Sequence, residues 1–212
     1  MKNNRIIPEK GEGRHHELIL ARSVLLAHMY ASKVPPGDIL RCVRRYSEVT
    51  FWEELMCVAI NPKAGKLIAI VGRHQAEGYS GILRRHGSVQ YVRFFVDWGD
   101  QKGYHPLGLS HFKVCDVGQD KEKDGYPIFH LVSLGFDAER YWDALMQGFL
   151  PKVRAVLSWN QVPELDTEFI PVFGNRIDSQ IRVDSEKELM LNFNIPDGSD
   201  LFDSSTELSN GC

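Results

Sequence analysis

Apolar and polar residues alternate with a period of two along much of this chain, most regularly in VQYVRFFVDWGD from Val89 to Asp100. There Val92, Phe94, Val96 and Trp98 interleave with Arg93, Phe95 and Asp97, the pattern of a strand with one face in a core. Gly99-Asp100 closes the run. Leu55 to Ile60 and Lys66 to Arg73 are strand-like too, and the turn formers Asn61-Pro62-Lys63-Ala64-Gly65 between them predict an antiparallel hairpin. Gln75 to Ser88 is Gly-rich and reads as a loop. Leu107 to Val117, Tyr126 to Phe136, Val153 to Trp159 and Asn175 to Val183 supply four more strands. Within Tyr126 to Phe136 both faces carry apolar residues, which predicts a central strand or one partly covered by another element. The fold class that follows is mainly β: an antiparallel β-sandwich of about seven strands, jelly-roll or immunoglobulin-like.

Two segments switch to helical spacing. From His16 to Ala31, Leu18, Ala21, Leu25 and Met29, with Leu26 and Tyr30 beside them, recur at three and four residues and predict an amphipathic helix. Pro35-Pro36-Gly37 breaks it, and Asp38 caps a second helix, Ile39 to Tyr46, giving an N-terminal helical hairpin. Ala138 to Leu150, with Tyr141, Leu145 and Phe149 on one row, predicts a short inserted helix capped by Asp137 and ended by Pro151. The chain therefore divides into a helical extension at 1–47, a β-sandwich at 48–184 and a tail at 185–212.

Charge sharpens that division. The 212 residues are 43% hydrophobic and 25% charged, as in a soluble globular protein, with a net charge of −3. Nine Lys or Arg against four acids make Met1 to Ser47 basic (9 − 4 = +5), while one Lys against seven acids makes Asp184 to Cys212 acidic (1 − 7 = −6). Leu189, Met190, Leu191, Phe193, Ile195, Leu201 and Phe202 are scattered through that acidic tail, and a solvated tail does not need them. Cys42, Cys57, Cys115 and Cys212 form no CxxC pair, which argues against a disulfide or metal framework. The first residues lack the apolar core of a secretory signal, and Leu18 to Ala31 is too short and polar to span a bilayer. The expected location is cytoplasmic.

Two resemblances follow from particular runs. KVRAVLSWN, a Pro-containing loop and FGNRIDSQIRV resemble the end of the jelly-roll P-domain-like modules attached to subtilisin-type proteases. That likeness covers about thirty residues and implies architecture alone, since fold does not imply function. YVRFFVDWGD together with VRAVLSWN resembles an uncharacterised group of bacterial β-sandwich proteins, to which no activity attaches.

Candidate chemistry is sparse. His15-His16-Glu17 does not make HExxH, because position 20 is leucine, and His28 lies about three turns from His16. His111 and His130 fall on neighbouring strand runs but lack a third ligand. Asp97, Asp100, Asp116 and Asp120 would supply calcium oxygens if gathered at one end of the sandwich, although turn chemistry explains them better. Ser110-His111 and Ser133 sit in strand runs without a nucleophile elbow, and Cys57 and Cys115 fall on strands expected to be buried. Gly78-Tyr79-Ser80-Gly81 is not followed by a helix, so it is no phosphate cradle. Arg41, Arg44, Arg45 and the Arg84-Arg85-His86 loop lack interleaved aromatics, which argues against nucleic acid. The reading that remains is a non-catalytic protein-interaction module without a cofactor, a subunit or regulator of a larger bacterial assembly. It would dock a protein partner through the N-terminal helices, with Arg41, Arg44 and Arg45, or through the apolar residues of the tail. The alternative is a small-ligand or carbohydrate-binding sandwich, with Tyr79, Trp98, Tyr104 and Trp159 as a stacking platform and calcium on the four aspartates. An unrecognised hydrolase would need His111 and His130 in one pocket.

Overall fold

A computed structural model describes residues 12–32, 34–41, 47–61, 64–80, 87–99, 101–116, 128–137 and 150–181, without the side chains of 12–21 and 41. Helix α1 runs from Glu12 to Ala31, one turn earlier than its apolar spacing marks, and α2 from Pro36 to Arg41. The helices are separated where Pro35-Pro36-Gly37 was expected to break the first, and Pro36 opens α2 three residues before the expected start, because its fixed φ and missing N–H suit a first helical turn. The predicted continuation of α2 to Tyr46 and the predicted helix at 138–150 fall largely outside the described residues.

Seven strands follow: β1 Glu53–Asn61, β2 Lys66–Arg73, β3 Ser88–Asp97, β4 His105–Val114, β5 Ile128–Gly135, β6 Lys152–Trp159 and β7 Arg176–Gln180. They form two antiparallel sheets, ordered β1-β2-β5 and β4-β3-β6-β7, so the chain is a β-sandwich. Compared with a constant immunoglobulin sandwich, whose fourth strand edges the sheet of the first two, β4 here has joined the opposite sheet. The β1–β2 turn is held by Asn61, whose Oδ1 accepts from the Ala64 N–H, as turn asparagines do.

Alternation decides the core. Val92, Phe94 and Val96 of β3, Val153, Ala155 and Leu157 of β6 and Leu67, Ala69 and Val71 of β2 belong to one buried apolar cluster. The strand β6 is buried at seven of its eight positions, because its outer face is covered as well. The segment after it lies over that face: Arg93 Nε donates to Pro163 O at 2.7 Å and Arg154 Nη1 to Thr167 O at 2.8 Å. Arg154 also grips Asp178, its register partner on β7, through two bonds of 2.7 Å.

The two sheets are joined differently at their two seams. On one side Asn175 accepts from Leu55 N at 2.7 Å and donates to Leu55 O at 3.1 Å, clamping β1 at its bulge. Gly174 before it has φ +97, and a Cβ there would stand 2.3 Å from Leu157 O, so only glycine fits. On the other side, β4 and β5 meet through side chains: Ser110 Oγ donates to Ser133 O, and Phe112 stacks on His130 at 4.6 Å.

Three expectations are corrected. The strand β5 is an edge strand with its outer face open, not a central one, because β2 takes it up on one side only. Cys57 is free and exposed, since the bulge beside it turns it outward. Cys115 is disulfide-bonded, so the chain does carry a disulfide despite lacking paired spacing, its partner lying outside the described residues.

Candidate functional site

The strongest concentration of polar chemistry lies where α1 closes one end of the sandwich. Arg22 and Glu53 are both buried, and Arg22 Nη2 donates to the two carboxylate oxygens at 3.0 and 2.9 Å. The guanidinium is walled by aromatic rings, 4.3 Å from the centre of Trp159, 4.6 Å from Trp52, 5.0 Å from Tyr79 and 5.3 Å from Phe173. Cations over such faces are attracted by the ring quadrupole, and more strongly away from water. Arg73 also stands over Tyr79, at 4.3 Å, tied to Gln75 O and Ala76 O. Tyr79 Oη donates to Trp52 O at 2.6 Å, and Asp116 accepts from the N–H groups of Tyr79 and Ser80. Trp52 is held in turn by Gly78 (φ +97), where a Cβ would come within 2.4 Å of the indole nitrogen.

Burial raises the Glu53 carboxyl above its ordinary range, and the Arg22 charge pulls it back. Burial likewise raises the Tyr79 hydroxyl. With both carboxylate oxygens engaged by Arg22 and the pair closed from water, this knot fastens α1 to the sheets. It presents no group to a substrate.

The predicted site residues fall into three groups. Tyr79, Trp98 and Trp159 are buried core rings, so they form no platform for a sugar. Tyr104 is half-buried with Arg154 lying 4.3 Å over its ring. Asp97 and Asp116 stand at opposite ends of the four-stranded sheet, since β4 begins opposite Val96 and ends opposite Ser88. Antiparallel register thus holds these two aspartates apart, and Asp97 Oδ1 instead accepts from Gly99 N. Asp100 and Asp120 lie outside the described residues, as do Arg44, Arg45 and the apolar residues from Leu189 to Phe202. Only the backbone of Arg41 is described. Among the described residues no three His, Cys, Asp or Glu stand together as a metal site. His111 and His130 do not meet, because alternation turns His111 toward Tyr91 while Phe112 takes the face toward His130.

The outer face of β1-β2-β5 is different in kind. Register aligns Cys57, Ile70 and Leu131 in one row across it, and Ala59, Ile68 and Ser133 in the next. Leu131 is 73% exposed, Phe129 58% and Met56 48%. Gly72 leaves room for the Met56 side chain to lie across the sheet, 3.4 Å from where a Cβ would be. The face carries no charge until Lys66 at one end and the Glu54–His74 pair, 3.4 Å apart, at the other. Apolar residues on both faces of β5 are legible in the sequence, whereas which face stays open is not. For Arg22 a signal was present: it lies four residues from Leu18 and from Leu26, on the apolar stripe of the helix.

No family model matches this chain, and none of the curated proteins matches it. Among solved structures it is similar to a superoxide reductase (neelaredoxin) from Archaeoglobus fulgidus in the reduced form. The identity is 9% and the TM-score 0.31, over 61% of this chain and 89% of that one. It is also similar to 15% of a β-glucosidase from Kluyveromyces marxianus, at 9% identity and a TM-score of 0.30 over 64% of this chain. Likenesses this low carry no argument about activity. No described helix is long and apolar enough to cross a membrane.

Proposed function

We propose that this protein is a non-catalytic interaction module, a subunit or regulator of a larger bacterial assembly, and that it docks through the outer face of β1-β2-β5. The observation that carries the reading is the uncharged patch of Met56, Ile70, Phe129 and Leu131 on the outer face of this sheet. Sheet faces left to water are ordinarily polar, and apolar ones mark contact sites. The partner suited to it presents a neutral apolar strand or helix face, since a charge set against these side chains would lose its water without gaining a counter-ion.

Leu131→Asp tests this. The side chain points outward, so the variant keeps the wild-type melting temperature to within a few degrees, yet it loses a host protein that the wild type retains at matched concentration. Identical retained proteins for both chains would sink the assignment of this face. The Cys115 disulfide weighs against the cytoplasmic location expected from the sequence, because the cytoplasm of most organisms keeps thiols reduced.

A further inference from the structure

Arg22 reaches Glu53 through Nη2 alone. Its Nε and Nη1 carry further N–H donors, and no protein acceptor among the described residues meets them, although the side chain is fully buried. Three more buried side chains are alike in this: Gln90 at both amide atoms, Ser88 at Oγ and Trp159 at Nε1.

These groups are neighbours. Asn160 N donates to Val89 O, so the next pair along, Gln90 and Trp159, is a non-hydrogen-bonded one. Cα atoms of such a pair lie about 4.5 Å apart, with both side chains on one face of the sheet. That face is the inner one, because Val92 and Leu157, the following pair on it, belong to the core. Ser88 precedes Gln90 on the same face of β3. Phe112 flanks Gln90 on its other side and offers its amide no carboxylate, amide or hydroxyl. Arg22 lies over the Trp159 ring at 4.3 Å.

Buried polar groups without a protein partner are costly, and native proteins answer them with ordered water or a bound molecule. Charge and bonding capacity decide which. Glu53 already balances Arg22, and an anion beside that carboxylate would be repelled by it away from bulk water. A cation would face the guanidinium. Arg22 and Trp159 can only donate, whereas Gln90 offers an acceptor as well as donors, so the occupant must both accept and donate. Water does both, and a buried water makes about three such bonds.

We infer that Arg22, Gln90 and Trp159 form a binding site for internal water beneath α1, with Ser88 lining it. Arg22 joins α1 directly to β1 through Glu53, and the water joins it to β3 and β6. The helix is thereby fastened to both sheets, one by an ion pair and the other by a solvent bridge.

Water-selective NMR on the full chain tests this at the Trp159 indole proton, which Trp159→Phe assigns. A bound water gives that proton cross-peaks of opposite sign in the laboratory and rotating frames, whereas proton exchange with solvent gives peaks of one sign. Opposite-signed peaks are expected in the wild type and in Ser88→Ala, and their loss is expected in Gln90→Leu. Absent or same-signed peaks in the wild type overturn the site. Loss in Ser88→Ala overturns it too, because exchange through the serine hydroxyl then accounts for the signal. Survival in Gln90→Leu overturns it because the amide then holds no water. The wild type and Ser88→Ala keep the test decisive if Gln90→Leu does not fold.

Discussion

Arg22 occupies a position where the helix stripe calls for an apolar side chain, and the fold answers with Glu53 and four aromatic rings. Removing one member of a buried pair strands the other charge, which typically costs about 3–5 kcal/mol. Arg22→Ala should therefore lower stability by about that much in urea unfolding. Arg22→Met combined with Glu53→Leu should recover most of the loss, because neither charge then needs pairing. A double variant as unstable as the single one would show that the rings require the cation itself. His130 behaves differently. Burial, reinforced by the nearby Arg73 charge, lowers its pKa below the ordinary 6.5. The unfolded chain then binds the proton more readily than the folded one, so stability is full above pH 6.5 and is lost as pH falls through the folded value. His130→Gln should show a smaller fall in melting temperature between pH 7.5 and 5.5 than the wild type. Equal falls in both would place the acid sensitivity elsewhere.

The strands themselves were legible because alternation is local: β2 matches its expected bounds, and β3 and β6 shift by a single residue. Which sheet each strand joins was not legible, since a strand turned toward one sheet or the other shows the same period. The same blindness hid the separation of Asp97 from Asp116 and of His111 from His130, which depends on register and on which edge meets which. Asn175 shows how such a choice is fixed. One amide holds both polar groups of Leu55 across the seam, and FGN in the sequence gives no sign of a partner 120 residues away. Asn175→Ala leaves a buried N–H and C=O unpaired, at about 1–3 kcal/mol each. Urea unfolding should show a loss of about 2–6 kcal/mol, together with faster amide exchange in β1. A loss below about 1 kcal/mol would mean that the β1 bulge finds other partners.

For the whole molecule, the sandwich is closed at one end by an aromatic cluster around a cation, and it is also held by a covalent bond at Cys115. Cysteine spacing gave no hint of that bond, since proximity in the fold and not in the chain decides pairing. Reduction should lower unfolding stability by about 2–4 kcal/mol, the usual contribution of one disulfide. No change on reduction would mean that the knot around Arg22 suffices to hold the chain together. The function was the least legible part. The residues of the open face, Phe129 and Leu131 above all, have the composition of a core strand, and only the edge position of β5 turns them into a surface.

The strand β6 lies between β3 and β7, late in the chain, and that has a consequence for biosynthesis. Until residues 152–159 leave the ribosome, β3 can be paired on its β4 side only, and the Asn175 clamp follows only after them. A nascent chain can pair β1 with β2 and β3 with β4 early, but these hairpins cannot be sealed together. For most of its synthesis the growing polypeptide therefore leaves the open edges and apolar side chains of these hairpins unsealed, which are the features that make folding intermediates prone to aggregate.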